Sequence, residues 1–368
     1  MICDIVIPVY NKLEYSRVCL ESIKKYTHYT YRIIIIDDAS NKETQEYLDD
    51  LDKKQEIILI RNDTNLGWLK SVNKGLAQTK SEYICLMNND TLVTDGWLEE
   101  MINIAEKEKG IGLVNPSWEK PNWISLDDYA RNIKRFREQY IETGWARGFC
   151  VLIKREVIDK IGYFDEVYSP GYWDDRDFSV RAIKAGFRCV RAKSSFVWHH
   201  RNITFQEKLK RESFSQIFER NRKIFYQKWG KPLRIVFVLR GLNHEVYQRL
   251  NQFFITLARG QDRIYILSRD KNVFPIHENI FKISIPNWLF SLGVLFFIWD
   301  NAYRNPTKHY NLIFASSLNL KKFLSKFSLL SNYKILSYDF SNLGLEELLL
   351  KIVKDLKYKL NENSIELQ

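Results

Sequence analysis

Short runs of β-branched and aliphatic residues alternate with amphipathic segments through the first half of the chain, and this alternation limits the fold more than any other feature. The runs predict strands over residues 4–10, 31–40, 56–62, 82–87 and 111–117. The segments between them predict helices over residues 13–27, 42–53, 67–79 and 96–110. Such alternation is typical of a parallel, doubly wound sheet, which binds ligands at the carboxyl ends of its strands.

The pattern changes after the fifth predicted strand. Residues 118–145 lack a clear periodicity, and we interpret them as a surface excursion with some helix. Two separate strands are predicted at 188–192 and 195–200, and a basic, polar helix at 205–228.

A second alternation of strands and helices begins at residue 233. Gly230 and Pro232 precede it, and Gly often ends a helix that Pro cannot continue. A chain of 368 residues has room for two domains of ~150 residues each. We therefore predict domains at 1–230 and 233–368, the second a Rossmann-like α/β unit. It contains neither G-x-G-x-x-G nor a P-loop, so no cofactor is assigned to it.

The charge of the chain is concentrated towards its end. The formal net charge is +11, and residues 231–368 contain 19 Lys and Arg against 11 Asp and Glu, a net +8. Such an excess favours solubility, or attraction to anionic lipid or to a phosphate-bearing acceptor. No nucleic-acid motif accompanies it, so we predict no nucleic-acid partner.

Five scattered cysteines form no C-x-x-C pair, which predicts buried, reduced thiols and a cytoplasmic protein without zinc or disulfides. The longest apolar run, 288–299, is shorter than the ~20 residues of a membrane span. The first residues lack a basic start and a cleavage site, so no secretory signal is expected.

An apolar run at residues 83–87 ends on Asn88, Asn89 and Asp90. One interpretation is a turn, since Asn and Asp tolerate turn conformations. The other is a site where Asp90 holds a metal ion on a phosphate, because Mg²⁺ and Mn²⁺ are bound by few carboxylates and keep other positions for phosphate and water.

A second acidic segment reads YWDDRDFSVR, with Asp174, Asp175 and Asp177 at the start of a predicted helix. Repulsion and partial burial raise the proton affinity of one carboxylate in such a cluster, which suits a general base. The alternative is a charged helix N-terminus, where acids are favoured by the helix dipole. Asp177 and Arg181 are four residues apart and are expected to form a structural pair.

The first 230 residues resemble family 2 glycosyltransferases of the GT-A fold, especially the branch with rhamnosyl- and other bacterial glycan-assembly transferases. The resemblance rests on segments in the right order and spacing, which are IPVYNKLEYSRVCLESI, IIIIDDAS, NLGWLKSVNKGL, YICLMNNDTLVTDGWLEEM, GFCVLIKREVIDKIGYFDE, YWDDRDFSVRAIKAGFRC and VWHH. It implies an α/β domain with a Rossmann-like mixed sheet that binds nucleotide-diphospho-sugars.

The resemblance also implies roles for the two acidic segments. The family pattern at the first is Asp-x-Asp, of which this chain keeps Asp90 as the metal ligand, with Asn89 facing the ribose or phosphate. At the second, Asp175 matches the base and Asp174 its neighbouring Glu. Trp173, next to them, suits stacking on a sugar.

Further site residues are expected at the other strand ends. Pro8, Tyr10 and Asp38 are predicted to bind the nucleotide, although Tyr10 alone is as readily a core aromatic and Asp37 is expected to be structural. By resemblance His199 approaches the metal or diphosphate, with His200 as the competing choice. The segment containing Trp145, Arg147 and Gly148 matches the acceptor side, with core packing as the alternative for Trp145.

The second domain resembles, by composition, the N-terminal half of a GT-B glycosyltransferase. A donor-binding half would need another ~150 residues. This domain is therefore interpreted as a scaffold, an acceptor-docking unit or a truncated second transferase.

The sequence thus predicts an inverting glycosyltransferase that moves a hexosyl or deoxyhexosyl group from a UDP- or dTDP-sugar to a growing surface glycan. Mn²⁺ or Mg²⁺ is the expected cofactor, and a glycan or lipid-linked glycan is the expected acceptor. A non-catalytic nucleotide-sugar or glycan-binding protein, or a scaffold, is the alternative, which Asn88 favours. A nucleotidyltransferase would carry an N-terminal Gly-rich loop, and PVYNKLEY contains no glycine.

Overall fold

The computed structural model describes residues 2–200, 211–242, 244–268, 274–304, 309–327, 333–340, 342 and 344–362. The chain divides into two compact units, Met1–Phe225 and Tyr226–Gln368. This division falls close to the boundary proposed at residues 230–233.

The first unit is built from strands that alternate with helices. Its strands, in chain order, are β1 (Cys3–Val9), β2 (Tyr31–Asp37), β3 (Ile58–Arg61), β4 (Tyr83–Met87), β5 (Thr91–Val93), β6 (Ile111–Ser117), β7 (Tyr140–Thr143), β8 (Cys150–Lys154) and β9 (Arg188–His199). Its helices are α1 (Leu13–Tyr26), α2 (Lys42–Lys53), α3 (Trp68–Leu76), α4 (Trp97–Lys107), α5 (Leu126–Ile133), α6 (Arg155–Ile161), α7 (Asp174–Lys184) and α8 (Arg211–Trp229).

The large sheet is mixed in direction. Its order is β3-β2-β1-β4-β8-β6-β9-β5, and β7 also pairs with β9. Strands β3, β2, β1 and β4 are parallel, whereas β8 is antiparallel to both β4 and β6. The predicted class, a Rossmann-like mixed α/β sheet followed by a second α/β domain, is confirmed.

Three predictions made from local patterns are wrong in detail. The doubly wound sheet is not wholly parallel, because β8 enters it in the opposite direction. Residues 188–199 form one continuous strand where two were predicted, and within the region predicted as a surface excursion, β7 pairs with β9. The predicted helix at 205–228 corresponds to α8, and its first six residues lie outside the described residues.

The burial of the central strands explains their composition. Every residue of β1 and of β4 is buried, as are the last five residues of β2. Strands covered by helices on both faces form nearly continuous apolar runs. The cysteines all lie among buried side chains and are free thiols, as predicted.

The second unit contains a parallel sheet in the order β12-β11-β10-β13-β14. Its strands are β10 (Arg234–Val238), β11 (Arg263–Ser268), β12 (Ile280–Ser284), β13 (Leu312–Ala315) and β14 (Lys334–Ser337). Its helices are α9 (His244–Arg259), α10 (Phe290–Arg304), α11 (Leu318–Leu324) and α12 (Leu345–Glu362).

The second sheet is covered on both faces. Alternate residues of β10 enter two separate apolar clusters, Phe237 packing with α9 and α12 and Val236 with α10 and α11. Within the described part of the chain, no helix is long and apolar enough to cross a bilayer.

The packing of β6 against α6 leaves no room for a side chain at Gly112. A Cβ atom there would lie 2.7 Å from Val157 Cγ2 and 2.9 Å from Phe187 Cβ. We expect Gly112→Ala to lower the free energy of unfolding by about 1–3 kcal/mol, since overpacking forces a buried neighbour to move. Gly110→Ala is the matched control, because its Cβ would meet Arg188 Nε at an ordinary 3.5 Å. Urea titration measures the free energy of unfolding of both variants. Equal values for the two would contradict the tight packing around Gly112.

Candidate active site

The strand directions bring the predicted site residues to one edge of the large sheet. Strands β1, β2 and β4 are parallel, so their carboxyl ends lie together, and β9 runs in the same direction through β8 and β6. Strand β8 is antiparallel, so the segment that precedes it starts from that edge. The backbone amide of Asn88 donates to the carbonyl of Phe149 at 2.8 Å and connects β4 to this segment.

Asp38 organises the loop that leads into α3. Its Oδ1 accepts from Asn62 Nδ2 at 2.9 Å and from the Leu66 amide at 2.7 Å, and its Oδ2 accepts from the Gly67 amide at 2.9 Å. The carboxylate is buried. Gly67 has φ of 87°, a left-handed conformation that favours glycine at the start of α3. Asp38 therefore fixes the loop, and its contact with a nucleotide stays a prediction.

Asp37 has the structural role that was expected of it. Its Oδ1 accepts from the Ser40 amide at 2.9 Å, and its Oδ2 accepts from Arg61 Nε at 2.7 Å. The side chain is fully buried. Both oxygens are thus used within the fold.

Pro8 and Tyr10 lie at the end of β1. Pro8 is buried within the strand and is paired with Ile36, whereas Tyr10 follows the strand and is half-buried. The structure brings Tyr10 to the same edge as Asp38, whose amide donates to the carbonyl of Val9 at 2.8 Å. The proposed nucleotide contacts of both residues remain predictions.

Trp68 is a site residue that the sequence analysis did not assign. Its Nε1 donates to Asn88 Oδ1 at 3.0 Å, and its ring lies 3.4 Å from where a Cβ on Gly148 would be. The signal was present in the quoted segment NLGWLKS, because the tryptophan follows the glycine that starts α3. The indole fixes the side-chain amide of Asn88. This amide therefore has a structural partner at the position where the resemblance implies the first carboxylate of Asp-x-Asp.

Asn89 is likewise held within the fold. Its Nδ2 donates to Ser16 Oγ of α1 at 2.9 Å, and the side chain is buried. The predicted contact with a ribose or phosphate would have to use the remaining polar atoms of this amide.

Asp90 and His199 form a buried carboxylate–imidazole pair. Strand β5 pairs with the end of β9 and sets His199 beside the Asp90 segment. Asp90 Oδ1 lies 3.2 Å from His199 Nε2, yet this oxygen is buried and accepts no hydrogen bond from any described residue. His199 Nε2 also lies 3.4 Å from Asn88 Nδ2, and its ring stacks on Phe149 at 4.9 Å. A buried oxygen without a donor is costly unless something else binds it.

His200 faces a different environment. Its amide donates to the carbonyl of Asp90 at 3.0 Å, but its ring packs edge-on against Tyr15 at 5.4 Å and is exposed. The geometry therefore favours His199 over His200 as the imidazole that faces Asp90.

The Asp90–His199 pair fits a divalent cation. Mn²⁺ is bound by carboxylate oxygens and by imidazole nitrogens, so both Asp90 Oδ1 and His199 Nε2 could be its ligands. Mg²⁺ prefers oxygen ligands and would be bound through Asp90. Among the residues that the structure describes, no group of three or more His, Cys, Asp and Glu side chains could hold a metal. A two-residue site leaves most coordination positions to ligands such as phosphate and water.

Asp175 lies at the start of α7 beside the segment that precedes β8. Its Oδ2 accepts from the Gly148 amide at 3.4 Å, and its Oδ1 accepts from the Arg176 amide at 2.8 Å. Burial raises the pKa of Asp175 above its ordinary value, although the guanidiniums of Arg176 and Arg147 and these two amides act in the opposite direction. A carboxylate with a raised pKa and open lone pairs can accept a proton.

Asp174 and Asp177 differ from Asp175 in their surroundings. Burial, and next the charge of Asp175, raise the pKa of the buried Asp174 well above its ordinary value. Asp177 is buried and pairs with Arg181, whose Nε lies 2.9 Å from its Oδ2, which confirms the predicted structural pair.

Trp173 is packed into the fold. Its ring lies 5.6 Å from Phe218 and 5.1 Å from Phe225, both on α8, and only 9% of the residue is exposed. Its φ of 71° is unusual for a bulky residue and turns the chain into α7. Its predicted stacking on a sugar is untested, and packing is the role that is visible.

Asn221 of α8 holds the loop before Trp173 and was not found from the sequence. Its Nδ2 donates to the carbonyls of Tyr168 at 2.6 Å and Gly171 at 2.8 Å. The residue is fully buried. A single polar residue on a predicted helix gives no sequence signal for such a role.

An alternating stack of arginines and tryptophans lies next to Asp175. Arg176 Cζ is 3.0 Å from the centre of the Trp145 ring, and Arg147 Cζ is 5.1 Å from Trp145 and 4.0 Å from Trp118. Trp145 Nε1 is buried without a hydrogen-bond partner in the described chain. Trp145 therefore packs between cations, and it still has a donor to offer a ligand.

Comparisons with known proteins find a family match in the first part of the chain. Residues 4–162 match the family model described as glycosyl transferase family 2. The matched range contains the strands that carry Asp38 and Asp90, and it ends before α7. The match to this family therefore lies within the first unit.

Relatives of the chain include further glycosyltransferases. The chain is 29% identical over 337 residues to an uncharacterized glycosyltransferase of Haemophilus influenzae, covering 80% of this chain and 98% of that protein. It is 27% identical over 165 residues to the poly-beta-1,6-N-acetyl-D-glucosamine synthase of Staphylococcus epidermidis, covering 42% and 40% respectively. It spans 24% and 66% of the lengths of two further curated relatives.

A solved structure superposes on part of the chain. The mannosyltransferase PcManGT of Pyrobaculum calidifontis, in complex with GDP-Man and Mn²⁺, superposes with a TM-score of 0.48 at 15% identity, over 62% of this chain and 65% of that chain.

The role of Asp38 in the loop can be tested directly. We expect Asp38→Asn to lower the free energy of unfolding by about 1–3 kcal/mol, because the new NH2 group places a donor against the backbone amide of either Leu66 or Gly67. Asp63→Asn, on the exposed surface of the same loop, is the control and should change little. Urea unfolding measures both, and a wild-type midpoint for Asp38→Asn would show that the loop does not depend on this carboxylate.

Proposed function

We propose that the chain is an inverting glycosyltransferase that moves a hexosyl or deoxyhexosyl group from a UDP- or dTDP-sugar to a hydroxyl of a growing surface glycan. The observation that carries this proposal is the pair formed by Asp90 and His199. Asp90 Oδ1 is buried, accepts no hydrogen bond from a described residue and lies 3.2 Å from His199 Nε2. Asp175 lies at the same edge of the sheet, beside Gly148. The match of residues 4–162, which include Asp90, to the family model described as glycosyl transferase family 2 supports it.

Asp175 is the proposed base of a single displacement. It takes the proton of the acceptor hydroxyl as this oxygen bonds to the anomeric carbon of the sugar, and the bond from that carbon to the diphosphate breaks. Gly148 supports this role because its backbone amide donates to Asp175 Oδ2 at 3.4 Å and helps to hold the carboxylate in place. Attack from the face opposite the leaving group inverts the anomeric centre.

Asp90 and His199 are the proposed ligands of Mn²⁺ or Mg²⁺. A cation bound there supplies positive charge that stabilises the leaving nucleoside diphosphate. The chain's own contribution is to hold the carboxylate and imidazole together through the pairing of β5 with β9. Pro8, Tyr10, Asp38 and Asn89 are proposed to line the nucleotide site.

The acceptor side is proposed to lie across Asp175. Trp145, Arg147 and Gly148 precede β8, while Trp173 and Asp174 begin α7. Arg147 and Arg176 make this side positively charged and lie close enough to Asp175 to lower its pKa in part. Their positive charges would keep a larger fraction of Asp175 ionised than burial alone would allow.

The cellular setting belongs to the same proposal. The relationship to a poly-N-acetylglucosamine synthase supports polysaccharide assembly, and we keep the rhamnosyltransferase-like branch as the proposed subgroup. The excess of basic residues in 231–368 supports a cytoplasmic protein in peripheral contact with an anionic membrane and a lipid-linked acceptor. The second domain, 233–368, is proposed as a GT-B-like unit that docks this acceptor.

A binding protein without catalytic activity is the second candidate. The observation in its favour is Asn88, whose amide is fixed by Trp68 where the family pattern has a carboxylate. Such a protein would bind the nucleotide sugar without releasing nucleoside diphosphate.

Turnover separates these candidates. With a panel of UDP- and dTDP-sugars and a lipid and glycan extract as acceptor source, we expect release of nucleoside diphosphate that rises with pH through the raised pKa of Asp175. The rise follows because only the ionised carboxylate accepts a proton. Asp175→Asn should lower kcat by roughly 10²–10⁴-fold.

Asp159→Asn is the control, since Asp159 is exposed on α6 away from the strand ends. A folded Asp175→Asn variant with wild-type turnover and pH profile would remove Asp175 as the base. Tight donor binding with no turnover for any sugar would favour the binding protein.

A further inference from the structure

Helix α10 of the second unit is apolar on the face that points away from the sheet. Its inner face is buried through Phe290, Val294 and Ile298. Its outer face, continued by the turn before it, exposes large side chains, which are Trp288 at 81%, Leu292 at 58%, Phe296 at 61%, Trp299 at 39% and Tyr303 at 76%. Intervals of three and four residues set these five side chains, the α10 stripe, on one face of the helix.

The stripe is an arranged surface of aromatic rings. The Trp299 and Tyr303 rings stack at 5.6 Å, and Phe296 lies 6.0 Å from Trp299. A soluble surface rarely exposes a contiguous apolar patch of this kind without a partner. Trp and Tyr combine an apolar body with a polar tip, which suits the boundary between lipid chains and headgroups.

The charge around the stripe favours one occupant. Residues 287–327 contain five Lys and Arg and one acidic residue, Asp300. Asp300 Oδ1 forms an ion pair with Arg304 Nε at 2.6 Å. Lys322 on α11 and Lys326 after it are exposed beside α10, in the same layer of the sheet. A second copy would bring like charges together, whereas an anionic membrane complements them.

We propose that the α10 stripe is the surface by which this chain lies on an anionic lipid bilayer. A helix of 15 residues is about 22 Å long, too short to span a bilayer but suited to lying in its interface. The aromatic side chains enter the headgroup layer, and the lysines of α11 and its end meet lipid phosphates. This rests on the membrane contact proposed above and names its surface.

Sedimentation of the full chain with vesicles tests the inference. We expect binding at low salt to phosphatidylcholine vesicles that contain phosphatidylglycerol. The stripe variant Trp288→Ser/Phe296→Ser/Trp299→Ser should partition at least about tenfold less, since most of the apolar area is removed. The control Leu348→Ser/Tyr358→Ser alters exposed apolar residues of α12, which covers the other face of the sheet, and should bind like the wild type.

Brominated lipids give a second readout that does not depend on loss of binding. They should quench tryptophan fluorescence of the wild type, and less in Trp288→Phe/Trp299→Phe, which keeps an apolar stripe and should still sediment. Equal quenching in both proteins would overturn the inference.

The remaining outcomes separate the proposals. The stripe variant could bind like the wild type while Lys321→Gln/Lys322→Gln/Lys326→Gln loses binding. In that case charge alone binds lipid, and the proposed role of the α10 stripe is overturned. If the wild type does not bind the vesicles that contain phosphatidylglycerol, the stripe and the membrane contact are both overturned, while turnover of nucleotide sugars is unaffected. A wild-type dimer that the stripe variant breaks, without any lipid effect, would make the face a contact between copies.

Discussion

The carboxylate of Asp38 is the interaction on which the arrangement of the site depends. By accepting the amides of Leu66 and Gly67, it fixes the loop from which α3 begins. The helix then starts with Trp68, whose indole holds the Asn88 amide at the end of β4. One buried carboxylate at the end of β2 thus sets the position of groups at the end of β4, two strands away in the sheet.

The reversal of β8 is the second constraint. Because β8 runs against β4, the chain can bring the segment before β8 to the edge where the parallel strands end. Gly148 in that segment then meets both Trp68 and Asp175. A wholly parallel sheet would have placed this segment at the opposite edge, and the proposed base would have no connection to the nucleotide side.

The sequence was informative where a structural role repeats along the chain. Burial on both faces makes β1, β2 and β4 rich in apolar residues, so these strands and the helices between them were predictable. The direction of β8 and the continuity of β9 were not, because strand pairing over long sequence separations leaves no local pattern. The role of Trp68 depends on one hydrogen bond to a distant side-chain amide, and that of Asn221 on hydrogen bonds to distant backbone carbonyls. The resemblance pointed to Asp90 and His199, but only the structure shows that Asp90 Oδ1 is buried, lies 3.2 Å from His199 Nε2 and accepts no hydrogen bond from a described residue.

The central claim is that Asp90 and His199 hold a divalent cation on the diphosphate of the donor. Calorimetric titration with a panel of nucleoside diphosphates, with and without Mn²⁺, tests it most directly in the wild type, Asp90→Ala and His199→Gln. We expect Mn²⁺-dependent binding of UDP or dTDP that both variants weaken, while Asp63→Asn binds like the wild type. Binding that is indifferent to Mn²⁺ and to both substitutions would contradict it and leave Asp90 as a turn residue.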